Sequence, residues 1–300
     1  MRVRKTYRLR DAALKACATT AAIALVLGVV AVKGQHPAVP RRIVCVVPAV
    51  TEMLFAVGAG PQVAGVSSFE RYPPEALKLP RVGALLDPDI ERIISLRPDL
   101  VVIYGNQQDL RAQLSRARIP VFPYLHAGLA DVTATLREIG ARTGHVDRAE
   151  QLAGDIERRI AAVRARTAGK PRPRTLIVFG REPLALRGIY ASGGIGFVHD
   201  IVQAAGGDNV FADVPLPAVQ ASTEQILARR PDVILELRAE PLAPGALERE
   251  KAVWRPLASI PAVKSGRVHI IGDERAVVPG PRVAEAVELI ADVLAKSLQP

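Results

Sequence analysis

A thirteen-residue stretch of this chain occurs twice. Glu91 to Ile103 reads ERIISLRPDLVVI and Glu224 to Glu236 reads EQILARRPDVILE, so Arg97-Pro98-Asp99 recurs as Arg230-Pro231-Asp232 at an offset of 133 residues. In each copy a helical spacing of apolar residues stops at the proline and a β-branched run follows, because proline pushes the residue before it out of the α region. Taken alone, a helix, an Arg-Pro-Asp joint and a strand form a common connection. Here the flanks repeat as well: a strand at 43 precedes the first copy as one at 175 precedes the second, and Leu114 to Pro120 (LSRARIP) resembles Leu257 to Pro261 (LASIP). The repeat therefore predicts two similarly built lobes.

Short buried strands alternate with helical patterns from Arg41 onward. Ile43 to Val47, Leu100 to Tyr104, Val121 to Leu125, Thr175 to Phe179, Val233 to Leu237 and Val268 to Ile271 read as strands. Thr51 to Val57 reads as a helix that leaves through Gly58 or Gly60, residues able to take the left-handed conformation of a helix exit. The longest helical pattern, Asp147 to Thr167, has Leu152, Ile156, Ile160 and Val163 on one apolar face and an expected capping box of Asp147 with Glu150. It spans roughly 30 Å, and a Pro- and Arg-rich exit follows it. The expected fold is α/β: two Rossmann-like α/β lobes with mainly parallel strands, joined by a single long α-helix, with a ligand cleft between the lobes. The expected bounds are 41–146 for the N-terminal lobe, 147–168 for the connecting helix and 173–300 for the C-terminal lobe. A continuous helix as the only joint predicts modest hinge motion.

With 49% hydrophobic and 23% charged residues over 300 positions, the chain has the composition of a folded protein. Its net charge of +10 is concentrated at one end: residues 1–34 hold seven cations against Asp11 alone, a net of +6. The rest of the chain is close to ordinary, and aromatic residues make up only 4%, so no basic stripe interleaved with stacking rings supports nucleic-acid binding. The basic start runs into Ala16 to Val32, seventeen uncharged apolar residues. That order is a signal peptide or an uncleaved N-terminal membrane anchor, and it predicts a periplasmic or other extracytoplasmic location. Cys17 lies at the start of the apolar run rather than after it, a poor position for lipid attachment, and Cys45 would be the sole thiol of a mature domain.

The motifs of the common α/β enzymes are missing. There is no G-x-x-x-x-G-K-[ST] loop and no G-x-S-x-G elbow. Gly58-Ala59-Gly60 closes a helix rather than opening one, which fails the dinucleotide fingerprint. Gly193-Gly194-Ile195-Gly196 precedes a helical pattern and reads either as a flexible turn or as an anion-binding nest. No cofactor and no enzymatic activity are expected. A bare metal ion is an open alternative through His126 and His199 with Asp273, and an envelope enzyme using the interlobe cleft is another. Trp254 reads as a core residue.

Several segments carry a family resemblance. Ile43 to Gly60 (IVCVVPAVTEMLFAVGAG), Gly65-Val-Ser-Ser-Phe69, Tyr72-Pro-Pro-Glu75, Pro80-Arg-Val-Gly83, Arg97-Pro-Asp99, Gly206-Gly-Asp-Asn-Val-Phe211 and Pro279-Gly-Pro-Arg282 together resemble the helical-backbone (class III) substrate-binding proteins of ABC importers, the group for cobalamin, ferric siderophores and haem. The resemblance covers residues 41–297. It implies a monomeric protein that holds a corrinoid or iron chelate between its lobes and delivers it to an ABC permease with its ATPase. It also implies permease docking through one glutamate per lobe: Glu52 in the N-terminal lobe, and in the other the position before the double glycine, here Gln203, with Asp200 one turn back as a substitute. The cleft positions it implies are Phe69, Leu85, Tyr104, Arg181, Tyr190, Asp273, Arg275 and Arg282. Cobalamin binders of this type carry tryptophans near the positions of Leu85 and Tyr104. The three arginines would suit carboxylates of an anionic siderophore or haem.

Overall fold

A computed structural model describes residues 39–299 except 106 and 126; the expected signal or anchor at 1–34 lies outside the described residues. The chain runs β1 (Ile43–Cys45), α1 (Pro48–Val57), β2 (Val63–Val66), α2 (Ile90–Ser95), β3 (Leu100–Tyr104), α3 (Gln108–Arg116), β4 (Val121–Tyr124), α4 (Ala130–Thr143) and α5 (Val146–Thr167). It continues through β5 (Arg174–Gly180), β6 (Ile189–Ser192), α6 (Phe197–Ala204), β7 (Asp208–Asn209), β8 (Ala218–Ala221), α7 (Thr223–Arg229), β9 (Val233–Arg238), α8 (Pro244–Ala252), α9 (Pro261–Lys264), β10 (Val268–Gly272) and α10 (Val283–Ser297).

Two sheets result. The first has the order β2-β1-β3-β4 and is parallel throughout. In the second, β10, β9 and β5 are parallel, and β6 and β8 extend it antiparallel, with β7 beside the start of β5. The antiparallel edge went unrecognised in the sequence because β6 and β8 are four residues each and only half-buried, so they lack the continuous apolar run that a parallel strand covered on both faces needs.

The repeated Arg-Pro-Asp is the same backbone device in both lobes. Arg97 and Arg230 each adopt φ 47°, turning the chain out of its helix. The Asp99 carboxylate then accepts from the amides of Arg41 (2.7 Å) and Arg42 (2.9 Å), and the Asp232 carboxylate from the amide of Arg174 (3.1 Å). In return the Arg42 guanidinium donates to the carbonyl of Leu96 at the end of α2, and that of Arg174 to the carbonyl of Arg229 at the end of α7. Each staple ties the end of one helix to the start of the strand beside it, satisfying carbonyls that a helix C-terminus leaves without partners.

The connecting helix α5 buries Ala149, Ala153, Ile156, Ile160 and Val163, much of the face read from its spacing. The expected capping box does not form. The helix begins one residue earlier, at Val146, with no side-chain cap, and Glu150 instead pairs with Arg137 of α4 at 2.7 Å, an arginine that Glu157 holds as well. Helix packing decided the use of this carboxylate. At its other side α5 meets α10, through Arg159 with Glu288 at 2.8 Å and Arg166 with Asp292 at 3.0 Å.

The strands of the second sheet sort their side chains by period two. Ile177, Val233, Leu235 and Leu237 join a core that runs through α6 and α10 into the first lobe. Leu176, Val178 and Ile234 face a second core around the fully buried Trp254, as expected of that residue. The N-terminal lobe and one face of the C-terminal lobe thus share a continuous apolar interior, which favours small relative motion. Replacing Asp99 or Asp232 by alanine should lower unfolding free energy by about 1–3 kcal/mol each, since both leave strand-start amides without their carboxylate acceptor; urea unfolding of each variant measures this.

Candidate functional site

Parallel α/β sheets place ligands beyond the carboxyl ends of their strands, and both sheets here open a cleft at those ends. Two neighbouring cavities lie in it. One, of about 540 Å³, is lined by Arg71 from the first lobe and by Phe179, Gly180, Arg181, Glu236, Arg238 and Glu240 from the second. The other, of about 420 Å³, is bounded by Tyr104, Phe179, Ile195, Phe197, Pro217 and Val277. Phe179 and Val277 belong to both walls. The first cavity is charged and the second apolar, sizes and linings suited to a small-molecule site.

Of the exposed large apolar side chains, Ile195 lines the second cavity. Leu86 is 82% exposed and Leu125 67%. The loop carrying Ile195 and Gly196 is seated by two glycines. A Cβ on Gly193 would lie 2.0 Å from the Leu216 carbonyl oxygen, and one on Gly194 would lie 2.1 Å from that of Ala212. Close packing of two backbones is the reason for this glycine pair.

The positions implied by the sequence are distributed unevenly. Phe69 is exposed and lines neither cavity, Tyr104 lines the apolar cavity, and Tyr190 sits opposite Gly180 at the end of β5. Leu85 packs against the core while its neighbour Leu86 points outward. Arg181 is not a free cleft arginine: its side chain is 1% exposed and is held by Glu236 at 3.0 Å and Glu250 at 2.6 Å. Trp254 donates its ring N–H to the same Glu236. Burial opposes the charge on Glu250, but its bond to Arg181 prevails and holds this carboxyl below the usual range. Arg238, absent from the sequence-derived set, extends from this network into the cavity.

Asp273 and Arg275 pair with each other, Nη2 to Oδ2 at 2.5 Å, and Arg275 also holds Glu285 at 2.7 Å. The hydrogen bond from Arg275 keeps the Asp273 carboxyl low. Arg282 turns away from both cavities. It donates to Glu52 through Nε at 2.9 Å and Nη2 at 2.7 Å, reaches Glu274 at 2.7 Å, and lies 3.9 Å over the Tyr72 ring. His199 bonds to Asn209 at 3.1 Å; His126 is outside the described residues.

The three docking positions are likewise engaged inside the chain. Glu52 is 4% exposed, and burial raises its carboxyl despite the two bonds from Arg282. Asp200 accepts from the Leu129 amide of the other lobe at 2.8 Å. The Gln203 side chain accepts from Arg172 at 2.5 Å. Glu52 is the fifth residue of its helix, and the segment entering the last helix, through Gly280 and Arg282, covers it.

Phe179, Val277, Arg71, Arg238 and Glu240 escaped the sequence reading. Phe179 and Arg238 had a usable signal, since each lies at the end of a strand whose carboxyl edge faces the cleft. Arg71 and Glu240 come from loops and meet each other across it as an ion pair, which no local pattern announces.

The profile of the periplasmic binding protein family matches residues 43–274. The chain belongs to this family. A vitamin B12-binding protein of Pectobacterium carotovorum is 34% identical over 75% of this chain and 80% of its own length. Among solved structures, the periplasmic vitamin B12-binding protein of Vibrio cholerae superposes with a TM-score of 0.75 at 25% identity, covering 87% of this chain and 99% of that one. The periplasmic haem-binding protein RhuT from Roseiflexus sp. RS-1 gives 0.73 at 28% identity, covering 86% and 99%. In this periplasmic binding protein the seam of Glu52 with Arg282 is testable directly. Arg282→Ala leaves a buried carboxylate without its cation and should cost about 3 kcal/mol. Denaturant unfolding of the two single variants and of the Glu52→Ala/Arg282→Ala double variant should show a double variant less damaged than the sum of the singles.

Proposed function

We propose that this protein captures a corrinoid, or a metal chelate of similar shape, between its two lobes and delivers it to an ABC permease driven by its ATPase. The observation that carries this reading is the interlobe cleft itself, an apolar wall of Tyr104, Phe179, Ile195, Phe197 and Val277 beside a charged chamber. A flat macrocycle has large apolar faces for such a wall and polar substituents at its edge for such a chamber. The vitamin B12-binding relatives support a corrinoid over other chelates. Capture and release need no bond chemistry.

The basic and apolar segment at 1–34 serves export, as a removable signal or as an anchor. Docking on the permease through Glu52 would require it to leave Arg282, so the docking role assigned to it is an exchange of ion-pair partners rather than use of a free carboxylate. Asp200 and Gln203 would have to give up the hydrogen bonds they accept from the Leu129 amide and from Arg172.

Titration of the protein with cobalamin, haem and ferric siderophores, followed by visible absorbance and by quenching of Trp254 fluorescence, tests the reading. One-to-one saturation by cobalamin below micromolar is expected, and Phe179→Ala should weaken it by about 10- to 100-fold through loss of the shared wall. Saturation by haem or a siderophore alone would reassign the cargo, and saturation by none of them would overturn the reading.

A further inference from the structure

The loop after β2 alternates its side chains between the protein interior and the exposed surface. Ser67 is fully buried, Phe69 is exposed, Glu70 is 5% exposed, and Arg71 and Tyr72 face outward again. Glu70 is therefore a carboxyl driven into the first lobe between two exposed residues, of which Arg71 borders the cleft. Among the described residues its Oε2 has no hydrogen-bond partner. The nearby cations are occupied elsewhere: Arg81 donates to the carbonyl oxygens of Ser67 (2.8 Å) and Glu70 (3.4 Å), and Arg282 is divided between Glu52 and Glu274.

We infer that Glu70 is a positioning residue for cargo: it seats the segment 67–72 against the first lobe so that Arg71 borders the cleft opposite Glu240. This rests on the reading of the cleft as a cargo site. The groups that act on Glu70 are Thr51 and Glu52 from α1, Arg81 from the strand-like segment beside β2, Glu274 from the turn after β10, and Cys45 at the end of β1. Burial is the largest influence, opposed by the Thr51 hydroxyl and by Arg81 and reinforced by Glu52 and Glu274; together they push the carboxyl up to about 8. A carboxylate there would be buried, unpaired and next to two other carboxylates, so losing its proton favours the loop leaving its seat. The sign is fixed by linkage: the seated state holds a proton that the released state, with an ordinary carboxyl, gives up, so raising the pH from the ordinary carboxyl range to about 8 favours release and the effect levels off above that. Arg71 would then lose its partner Glu240 on the opposite lobe.

The test uses the full chain and Glu70→Gln, which keeps the size and the neutrality of the protonated acid. Cobalamin dissociation constants are measured from pH 6.5 to 9.5, and hydrogen exchange at the amides of Ser68 and Glu70, bonded to Gly83 and Ser67, is followed without cargo over the same range. For the unsubstituted protein the dissociation constant should rise with pH, by at most about tenfold per pH unit, up to the carboxyl's titration at about 8 and level off above it, while those amides exchange faster than intrinsic base catalysis explains. Glu70→Gln should show neither effect. Equal pH responses in the two proteins, or loop exchange in the unsubstituted protein that follows intrinsic rates alone, would overturn the inference. If cobalamin binds neither protein, the cargo reading fails and the exchange profile alone decides the role of Glu70.

Discussion

The lobes are held in register by Arg282. It reaches back from the start of the last helix to Glu52, 230 residues earlier, and simultaneously to Glu274. Three charges with little exposure to water are stable together only because each carboxylate faces a guanidinium, and removing the cation alone would strand the acids. Around this seam the other interlobe contacts fall into place: Tyr124 donates to the Pro279 carbonyl at 3.4 Å, and Asp200 accepts from the Leu129 amide. The apolar interior passes from one lobe to the other beside it through α10. The cleft is therefore a fixed consequence of how the lobes are joined, and its two cavities sit where strand ends from both sheets converge.

The charged half of the cleft is itself built on a buried network. Glu236 accepts from Arg181 and from Trp254, and Glu250 shares Arg181, so the floor of the cavity is rigid and nearly neutral. What faces outward from it is Arg238, with Arg71 and Glu240 meeting across the gap. The same contrast between buried and presented charge runs through the molecule. The arginines and acids named from the sequence mostly have ion-pair or hydrogen-bond partners inside the chain, while Arg238 borders the cavity from the end of β9 and Arg71 and Glu240 from loops with no pattern of their own.

Much of the fold was legible because local rules produce it. The Arg-Pro-Asp repeat announced two lobes, and the structure shows why it repeats: a left-handed arginine, a proline stop and an aspartate that binds the next strand's amides. Gly58 at φ 99° ends α1 as a helix exit requires, and the apolar spacing of α5 is the face it buries. Where two uses of a side chain competed, the sequence was silent. Glu150 satisfied a capping pattern yet pairs with Arg137, because an arginine on a neighbouring helix offers a charged partner that the helix's own end does not.

The sequence by itself determined the alternation of strands and helices, the duplication, the long connecting helix and the burial of Trp254, since each depends on periodicity or on backbone preference within a few residues. Only the tertiary structure decided the partners of Glu52, Arg181 and Arg282, the burial of Glu70 between two exposed neighbours, and the meeting of Arg71 with Glu240. Those depend on which distant segment arrives opposite a charge. A charge leaves water only where a partner, or a proton, compensates it.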